Sequence, residues 1–414
     1  MELKRVVVTG IGALTPIGNT AKDFFEGLVA GKSGAAPISL FDASKFKTQF
    51  ACEVKDFNAT DHFDRKEARK LDRCAQFGMV VANEAMADAN LTDYNADRGG
   101  VIWGSGIGGL ITFQNECMSF AAGDGTPRFN PFFIPKMISD ITPGHISIKH
   151  NLRGPNFATV SACASSTHAL IDAFNYIRLG KADFMIAGGS EAAVCEAGVG
   201  GFNAMHALST NNENPESASR PFDKTRDGFV LGEGAGALIL EELEHAQARG
   251  AKIYAEFVGG GASADAHHIT APHPDGLGAT NVMRYALEDA GMSPDEIDYV
   301  NVHGTSTPLG DVAEVKAVEN VFGEHRYNLN ISSTKSMTGH LLGAAGVIES
   351  LACLMSITDG VVPPTINNKE FDDNIDSKLN LTLNKAEKRK VRAALSNTFG
   401  FGGHNASVIL KEFV

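Results

Sequence analysis

The part of the sequence that decides the fold reads Gly154-Pro-Asn-Phe-Ala-Thr-Val-Ser-Ala-Cys163-Ala-Ser-Ser166. Aromatic and β-branched residues at 157–160 predict a strand, and the small residues at 161–166 allow a sharp turn into a helix predicted over 167–178. A thiol at that turn faces the helix N-terminus, where the helix dipole lowers its pKa and free N–H groups can hold an oxyanion. The pattern predicts that Cys163 is a nucleophile in acyl transfer; the competing interpretation is a buried, inert cysteine.

The same alternation of short apolar strands and helices continues on both sides of this segment. It favours an α/β protein whose sheets are covered by helices. The predicted strands are 5–9, 100–103, 157–160, 184–187, 235–240, 299–302, 329–332, 393–395 and 406–410. The predicted helices between them include 67–89, 167–178, 280–290 and 343–358.

The chain also shows signs of an internal duplication. The run 85–89 (AMADA) is echoed by 286–290 (ALEDA), and 161–163 (SAC) is echoed by 333–335 (STK). Chance is the alternative, because α/β proteins reuse such patterns. The two echoes occur in the same order, so we expect two similar halves, 1–250 and 251–414, packed as one body. The first half carries the cysteine.

Charge and cysteine usage narrow the class of protein. The formal net charge of −13 disfavours nucleic acid and anionic membranes as partners. No segment has the ~18 apolar residues of a membrane span, and the early run at 6–8 is far too short for a signal peptide. The six cysteines contain no Cys-x-x-Cys pair, so we expect free thiols in a reducing cytoplasm and no zinc site.

Two histidines follow predicted strands in the second half. His303 comes directly after the strand at 299–302, and His340 lies in a serine- and threonine-rich loop after the strand at 329–332. Sites assemble at this edge of α/β sheets. A cysteine with one histidine suits a thiol protease, whereas two neutral imidazoles can hydrogen-bond one carbonyl oxygen and stabilise an enolate. Lys335, in the same loop as His340, is either a surface charge or sets the local potential.

Glycine-rich segments supply a third feature. Phe399-Gly-Phe401-Gly402-Gly-His-Asn405 is either a plain turn before the last strand or a hinged gate, since glycines permit large backbone changes beside a blocking aromatic ring. Gly104-x-Gly106-x-x-Gly109 completes a dinucleotide-loop pattern, but no second strand ending in an acidic residue follows it. We interpret it as a tight turn and expect no cofactor.

Together these stretches resemble the β-ketoacyl-acyl carrier protein synthases, and among them the type II synthases. The resemblance spans nearly the whole chain. The matching stretches are 104–110, 154–166, 219–236, 301–310, 332–346, 363–367 and 396–405. The resemblance implies a thiolase-like fold with two similar βαβαβαββ-type halves in five layers (α-β-α-β-α), and a homodimer.

The resemblance also implies a reaction, the decarboxylative Claisen condensation that elongates fatty acids. Cys163 takes an acyl chain from acyl carrier protein as a thioester. His303 and His340 stabilise the enolate that forms when malonyl-carrier protein loses carbon dioxide, and Lys335 and Glu349 support them. No cofactor takes part.

Further roles follow from the same resemblance, position by position. The backbone N–H groups of Cys163 and Phe401 form the oxyanion hole, and Phe399 and Gly402 belong to the gate. The pantetheine arm is contacted by Thr270, Thr305 and Thr307, and the acyl pocket is lined by Ile107, Phe202 and, across the dimer, Phe133. Carrier protein docks on Lys66, Arg69 and Lys70, and a monovalent cation is implied near Asn301, Glu349 and Ser396. The chain departs from the expected pattern at His206, where arginine is expected in the docking patch, and at His404, where threonine is expected.

Several relatives of this reaction remain as alternatives. A thiolase would carry a second reactive cysteine near the C-terminus, but the last cysteine, Cys353, lies within an apolar helix. A non-catalytic chain-length partner would lack the nucleophile. A thiol hydrolase would not need two histidines and a gated pocket. A type I synthase, or a ketosynthase of a polyketide or aryl-polyene pathway, is not separated from a type II synthase by these residues.

Overall fold

The computed structural model describes residues 3–414 and contains a large mixed sheet. Its strands are β1 Val6–Leu14, β2 Ala36–Pro37, β3 Phe50–Ala51, β4 Gly99–Gly104, β5 Asn156–Thr159, β6 Phe184–Glu191, β7 Gly234–Glu242, β8 Ala255–Ala264, β9 Tyr299–Asn301, β10 Asn330–Ser332, β11 Val361–Val362, β12 Glu387–Lys388, β13 Ala393–Gly400 and β14 His404–Lys411. The helices are α1 Ala21–Val29, α2 Arg65–Ala68, α3 Arg73–Asp88, α4 Leu110–Ala121, α5 Phe133–Met137, α6 Ile141–His150, α7 Ser165–Arg178, α8 Glu196–Ala204, α9 Leu243–Ala248, α10 Leu277–Ala290, α11 Pro308–Phe322, α12 Lys335–Thr338 and α13 Ala345–Asp359.

The order of strands in the large sheet repeats itself. The ten strands run β10-β9-β13-β14-β8-β1-β7-β6-β4-β5. We number the strands of each set of five along the chain and read each set from the sheet edge to the centre. Both sets then have the order third, second, fourth, fifth, first. The sets meet where β1 and β8 pair antiparallel, from Val6 opposite Phe257 to Val8 opposite Ala255. The two sets therefore share one strand order, as a thiolase-like fold requires, and their two β layers form one continuous hydrogen-bonded sheet.

Helices complete the five layers. α3 packs on the outer face of β1, β6 and β7, and α10 packs on the outer face of β8 and β14. α7 and α13 contact each other and strands of both sets, so they form the middle layer. By length and composition, Leu342–Asp359 could cross a membrane (mean hydropathy 1.4), but 83% of it is buried inside the protein. Strands of both β layers contact this helix, which accounts for its mostly apolar composition.

The structure corrects the sequence-based predictions in three places. β8 was not predicted, because Gly259 and Gly261 interrupt its pattern. A Cβ at Gly261 would lie 2.3 Å from the carbonyl oxygen of Val282, so these glycines let α10 pack directly on the strand. The helix predicted over 67–89 is two helices, because Asp72 accepts a hydrogen bond from the N–H of Cys74 and caps a new start.

The third correction concerns the second sequence echo, which paired residues 161–163 with residues 333–335 and so chose the wrong loop. The turn Ala162–Ala164 leads directly into the central helix α7, and its counterpart is the turn Leu342–Ala344, which leads into α13. Ala162 and Leu342, the first residues of these turns, both have left-handed backbones, with φ of 50° and 47°. Residues 333–335 instead lead into the short helix α12.

Candidate active site

Cys163 is the middle residue of the turn between β5 and α7. The turn is held by Ser165, whose hydroxyl donates to the carbonyl oxygen of Ala162 at 2.7 Å and accepts from the N–H of Ser161 at 2.9 Å. The left-handed conformation of Ala162 redirects the chain at the strand end. As the sequence predicted, the thiol therefore lies at a strand-to-helix elbow, where it lines a cavity of about 530 Å³.

His303 and His340 lie in the same cavity. His340 Nε2 is 2.9 Å from Cys163 Sγ, and the two imidazole rings meet edge to face with centroids 5.3 Å apart. One ligand atom from each of the three residues lies within 4.8 Å of the other two. The structure thus brings together a cysteine from one half of the fold and two histidines from the other.

Burial fixes the ionisation of these groups. It lowers the pKa of His303 and His340 well below the usual histidine value, and the nearby Lys335 charge lowers both further. Both imidazoles are therefore neutral near pH 7. Burial raises the pKa of Cys163 to about 12, against the opposing effects of Lys335 and the Phe401 amide. The predicted lowering of this pKa is wrong in the resting site, because complete burial outweighs the favourable charges around the sulfur.

Lys335 and Glu349 form a buried ion pair beside the histidines. The carbonyl oxygen of Lys335 accepts from the hydroxyl of Ser219 at 2.7 Å, which fixes the start of α12. Burial raises the pKa of Glu349 to about 7, and Lys335 opposes the rise. The lysine is therefore an internal charge and not a surface one.

Three buried oxygen atoms near this pair have no hydrogen-bond partner. They are Asn301 Oδ1, Glu349 Oε2 and Ser396 Oγ. Asn301 and Ser396 are opposite each other in the parallel pairing of β9 with β13. Unpaired buried oxygens are costly, and oxygen ligands suit hard cations. The residues present fit the monovalent cation that the family resemblance implies.

The glycine-rich loop folds over the thiol. The backbone amide of Phe401 lies near Cys163 and favours its ionised form, and Phe399 lies beside His303 with ring centroids 5.7 Å apart. Gly402 and Gly403 have φ of 90° and 73°, a region that favours glycine. The loop is tied to the segment before α10, because the N–H of Gly402 donates to the carbonyl oxygen of Ile269 at 2.7 Å.

Most of the predicted substrate-binding residues line the cavity. These are Ile107, Phe202, Thr270, Thr305 and Thr307. The hydroxyls of Thr305 and Thr307 are 3.1 Å apart and form a polar patch. Phe133 is not among the lining residues; it stacks on Phe113 and Phe129.

The predicted docking residues lie outside the cavity. Lys66, Arg69 and Lys70 are all exposed, at or just after α2. The amine of Lys70 lies 5.5 Å from the ring centroid of Phe132. His206 is exposed and lines the mouth of the cavity. His404 is exposed on the gate loop, where its ring lies against Gly402.

Sequence reasoning missed a carboxylate that positions His303. Glu314, buried in α11, accepts from the backbone N–H groups of His303 and Gly304 at 2.8 Å each. Burial raises its pKa to about 7. The available signal was an acidic residue between Ala313 and Val315 on the apolar side of a helix. Glu191 was also missed, and it holds the loop that carries Ile107.

The architecture and the cysteine–histidine cluster define a class of protein, and comparison with known proteins names it. Residues 3–246 match the family model of the β-ketoacyl synthase N-terminal domain, and residues 254–369 match that of the β-ketoacyl synthase C-terminal domain. The chain belongs to the β-ketoacyl synthase family.

Curated relatives match over the whole length. The chain is 49% identical over 415 residues to 3-oxoacyl-[acyl-carrier-protein] synthase 2 of Synechocystis sp., covering 100% of this chain and 99% of that protein. It is 49% identical over 412 residues to the protein of the same name from Staphylococcus aureus, covering 99% of each. The resemblance found in the sequence to type II synthases is confirmed.

Solved structures share the fold. The ishigamide ketosynthase/chain length factor superposes with a TM-score of 0.92 at 34% identity, covering 100% of both chains. A ketosynthase bound to the hexaketide, in complex with its type II polyketide synthase acyl-carrier protein, has a TM-score of 0.91 at 32% identity and 100% coverage of both. The predicted thiolase-like fold is confirmed.

Proposed function

We propose that this chain is a β-ketoacyl-acyl carrier protein synthase of type II, an acyltransferase that elongates fatty acids by decarboxylative Claisen condensation. The observation that carries the proposal is the buried cluster of Cys163, His303 and His340 at the inner end of one cavity. Two neutral histidines beside a thiol suit enolate chemistry better than hydrolysis.

In the first half-reaction, Cys163 attacks the thioester carbonyl of acyl-carrier protein. The new carbon–sulfur bond forms as the carrier thiol leaves, and the thiol proton passes to the leaving sulfur. Negative charge develops on the carbonyl oxygen, and the backbone N–H groups of Cys163 and Phe401 are suited to hold it. His340, with Nε2 2.9 Å from the sulfur, orients the thiol.

In the second half-reaction, malonyl-carrier protein loses carbon dioxide, and the electron pair of the broken bond forms an enolate. The neutral Nε2–H groups of His303 and His340 donate to the thioester oxygen, where the charge develops. The enolate carbon attacks the Cys163 thioester, and the cysteine sulfur leaves as a thiolate, which takes up a proton from solvent because its pKa is raised by burial. The product is a β-ketoacyl-carrier protein, two carbons longer than the acyl chain.

The surrounding charges support the histidines. The positive charge of Lys335 lowers the pKa of His303 and His340, because it disfavours a second positive charge beside it. Both imidazoles therefore stay neutral. Glu349 balances Lys335, and Glu314 holds the backbone of the His303 loop. A monovalent cation bound by Asn301, Glu349 and Ser396 would fix the strand ends that carry His303 and the gate loop.

Carrier protein is the proposed macromolecular partner. Lys66, Arg69 and Lys70 form a local basic patch on a chain of net charge −13, which concentrates attraction for an acidic partner at one place. The ketosynthase solved in complex with an acyl-carrier protein, at 32% identity, supports this assignment. The threonine patch of the cavity suits the polar pantetheine arm.

We further propose a homodimer. β5 is an outermost strand of the ten-stranded sheet, and Val160 at its end is 61% exposed. Phe113, Phe129, Phe132 and Ile134 on and beside α4 and α5 are also largely exposed. A second copy would cover these apolar groups, and Phe133 would then reach the acyl pocket of its partner.

The division of labour between the halves is also a proposal. Residues 1–250 supply the nucleophile, and residues 251–414 supply both histidines and the gate. We assign the protein to the cytoplasm, since all six cysteines are free thiols.

A polyketide ketosynthase is the second candidate function. The solved ketosynthase of a type II polyketide system shares the fold at 32% identity, below the 49% shared with proteins named 3-oxoacyl-[acyl-carrier-protein] synthase 2. The presence of Cys163 with both histidines argues against a non-catalytic chain-length partner.

One experiment tests the function. The protein is incubated with acyl-carrier protein, the acylated peptide is located by mass spectrometry, and malonyl-carrier protein is then added. We expect acylation at Cys163 followed by a β-ketoacyl product. Acylation elsewhere, or no condensation product, would contradict the proposal.

A further inference from the structure

The structure contains a second elbow that carries no nucleophile. In the first, Cys163 is the middle residue of the turn Ala162–Ala164; in the second, Gly343 is the middle residue of the turn Leu342–Ala344. The two turns share a left-handed first residue and a position at the start of a central helix. A Cβ at Gly343 would lie 2.3 Å from the backbone nitrogen of Gly106, so no side chain fits there.

Different groups lie against the two elbows. At the first, the end of β13 brings Gly400 so close that its Cβ would lie 3.1 Å from the Cys163 nitrogen, and the Phe401 N–H points at the sulfur. At the second, the end of the equivalent strand β6 carries Glu191, whose carboxylate accepts from the N–H of Gly343 at 3.0 Å. The backbone amide of the second elbow is thus already bound by a side chain of the protein itself, that of Glu191.

Glu191 also holds the loop that follows β4. Its Oε2 accepts from the N–H of Gly106 at 2.7 Å, and its Oε1 accepts from the N–H of Ile107 at 3.2 Å and the hydroxyl of Ser105 at 3.1 Å. Glu191 is fully buried, and all four of its neighbours donate. Burial raises its pKa, while these donors favour the ionised form.

The clamped loop is part of the cavity wall. Gly106 and Ile107 line the cavity together with Cys163, and Ile107 is the residue of this loop with a large side chain. Ile107 is still 40% exposed, so packing alone does not fix it. Its backbone N–H has Glu191 as its hydrogen-bond acceptor.

We propose that Glu191 is a positioning residue for acyl-chain selection: it clamps residues 105–107 to the second elbow and thereby fixes Ile107 on the cavity wall. The proposal rests on the proposed function and adds to it a residue that contacts no substrate. The chemical class concerned is the acyl chain of the thioester, whose length the position of Ile107 limits.

The substitution Glu191→Gln tests this with the smallest change in shape. The amide oxygen can still accept from Gly106 and Gly343, and the amide NH₂ can donate to Ser105. The N–H of Ile107 then faces a donor and loses its acceptor, so Ile107 is released selectively. We expect the ratio of kcat/KM for long over short acyl-carrier proteins to rise about tenfold, the scale of one lost charge-assisted hydrogen bond.

A double-mutant cycle separates positioning from general destabilisation. If Glu191 acts through Ile107, then Ile107→Ala shifts the ratio in the same direction, and the double variant resembles either single variant. Glu233→Gln is the matched control, because Glu233 is a fully buried carboxylate that accepts a backbone N–H, from Val54, away from the cavity. It should leave the ratio unchanged.

An unchanged ratio in Glu191→Gln, or effects that simply add in the double variant, overturns the proposal. If the glutamine variant does not fold, Glu191→Asp keeps the charge but is too short to reach both the loop and the elbow, and the same ratio decides. A wild-type protein that is not acylated at Cys163 would instead refute the proposed function.

Discussion

His340 Nε2 lies 2.9 Å from Cys163 Sγ, while His303 lies beside His340, with ring centroids 5.3 Å apart and ring planes nearly perpendicular. The two histidines are therefore not equivalent toward the thiol. His340 contacts the thiol directly, and we propose that His303 serves the second substrate.

The first prediction follows from this asymmetry. The His303→Ala variant should lose condensation by about 10²- to 10³-fold, the scale of removing a donor to developing negative charge. Cys163 should still be acylated, because His340 and the backbone donors remain. Mass spectrometry of the acyl-enzyme and product analysis measure the two steps separately. Loss of acylation would mean that His303 is the base of the cysteine.

The second prediction concerns the gate loop. Phe401→Ala removes the ring but keeps the N–H that faces Cys163, so the oxyanion donor survives. We expect a changed acyl-transfer rate or chain-length profile, since the ring controls access while the glycines let the loop move. Phe413→Ala, at the distant contact with Arg5, is a matched control. If the Phe401→Ala variant keeps the acyl-transfer rate and the chain-length profile of the wild type, the gate hypothesis is wrong.

The third prediction concerns the unpaired oxygens. Replacing choline chloride by potassium or sodium chloride at constant ionic strength should raise the Tm of the wild type, because an ion that binds only the folded state stabilises it. Ser396→Ala, which removes one of the three oxygens, should reduce that gain. An equal Tm in all three salts would argue against the cation.

The fourth prediction is a pH dependence of stability. Burial lowers the pKa of His303 in the folded state. The stability that depends on neutral His303 is therefore fully present above the unfolded pKa of ~6.5 and is lost as the pH falls below that value. Between pH 6 and pH 5, the free energy of unfolding, measured in urea, should therefore fall by up to about 1.4 kcal/mol per pH unit more in the wild type than in the His303→Asn variant. Parallel slopes in the two proteins would show that His303 titrates normally.

The fifth prediction concerns carrier docking. Reversing charge in Lys66→Glu and Arg69→Glu should raise KM for acyl-carrier protein about tenfold at low salt, and less at high salt. Acyl-pantetheine thioesters, which lack the carrier, should react as before. Lys22→Glu reverses an equally exposed charge on α1 and is the control. If the control raises KM as much, the effect is one of net charge.

The sequence allowed Cys163, His303 and His340 to be predicted because each follows a strand in a loop of small residues, a pattern visible locally. The raised pKa of Cys163 could not be predicted, since it depends on burial by residues far along the chain. Glu314 and Glu191 were missed for a related reason: each acts on backbone N–H groups of loops, and Glu191 and Gly343 are 152 positions apart. The strand β8 was missed because its glycines serve the packing of α10.

The pairing of β1 with β8 has a consequence for the origin of the site. A single half that paired with a copy of itself through its first strand would present two identical elbows, one on each side of the junction. Joined in one chain, the two copies were released from that symmetry. One elbow now carries a thiol beside two histidines from across the junction, and the other is held by an internal carboxyl group. Cys163 comes from one set of strands and both histidines from the other, so the proposed chemistry depends on the junction between them.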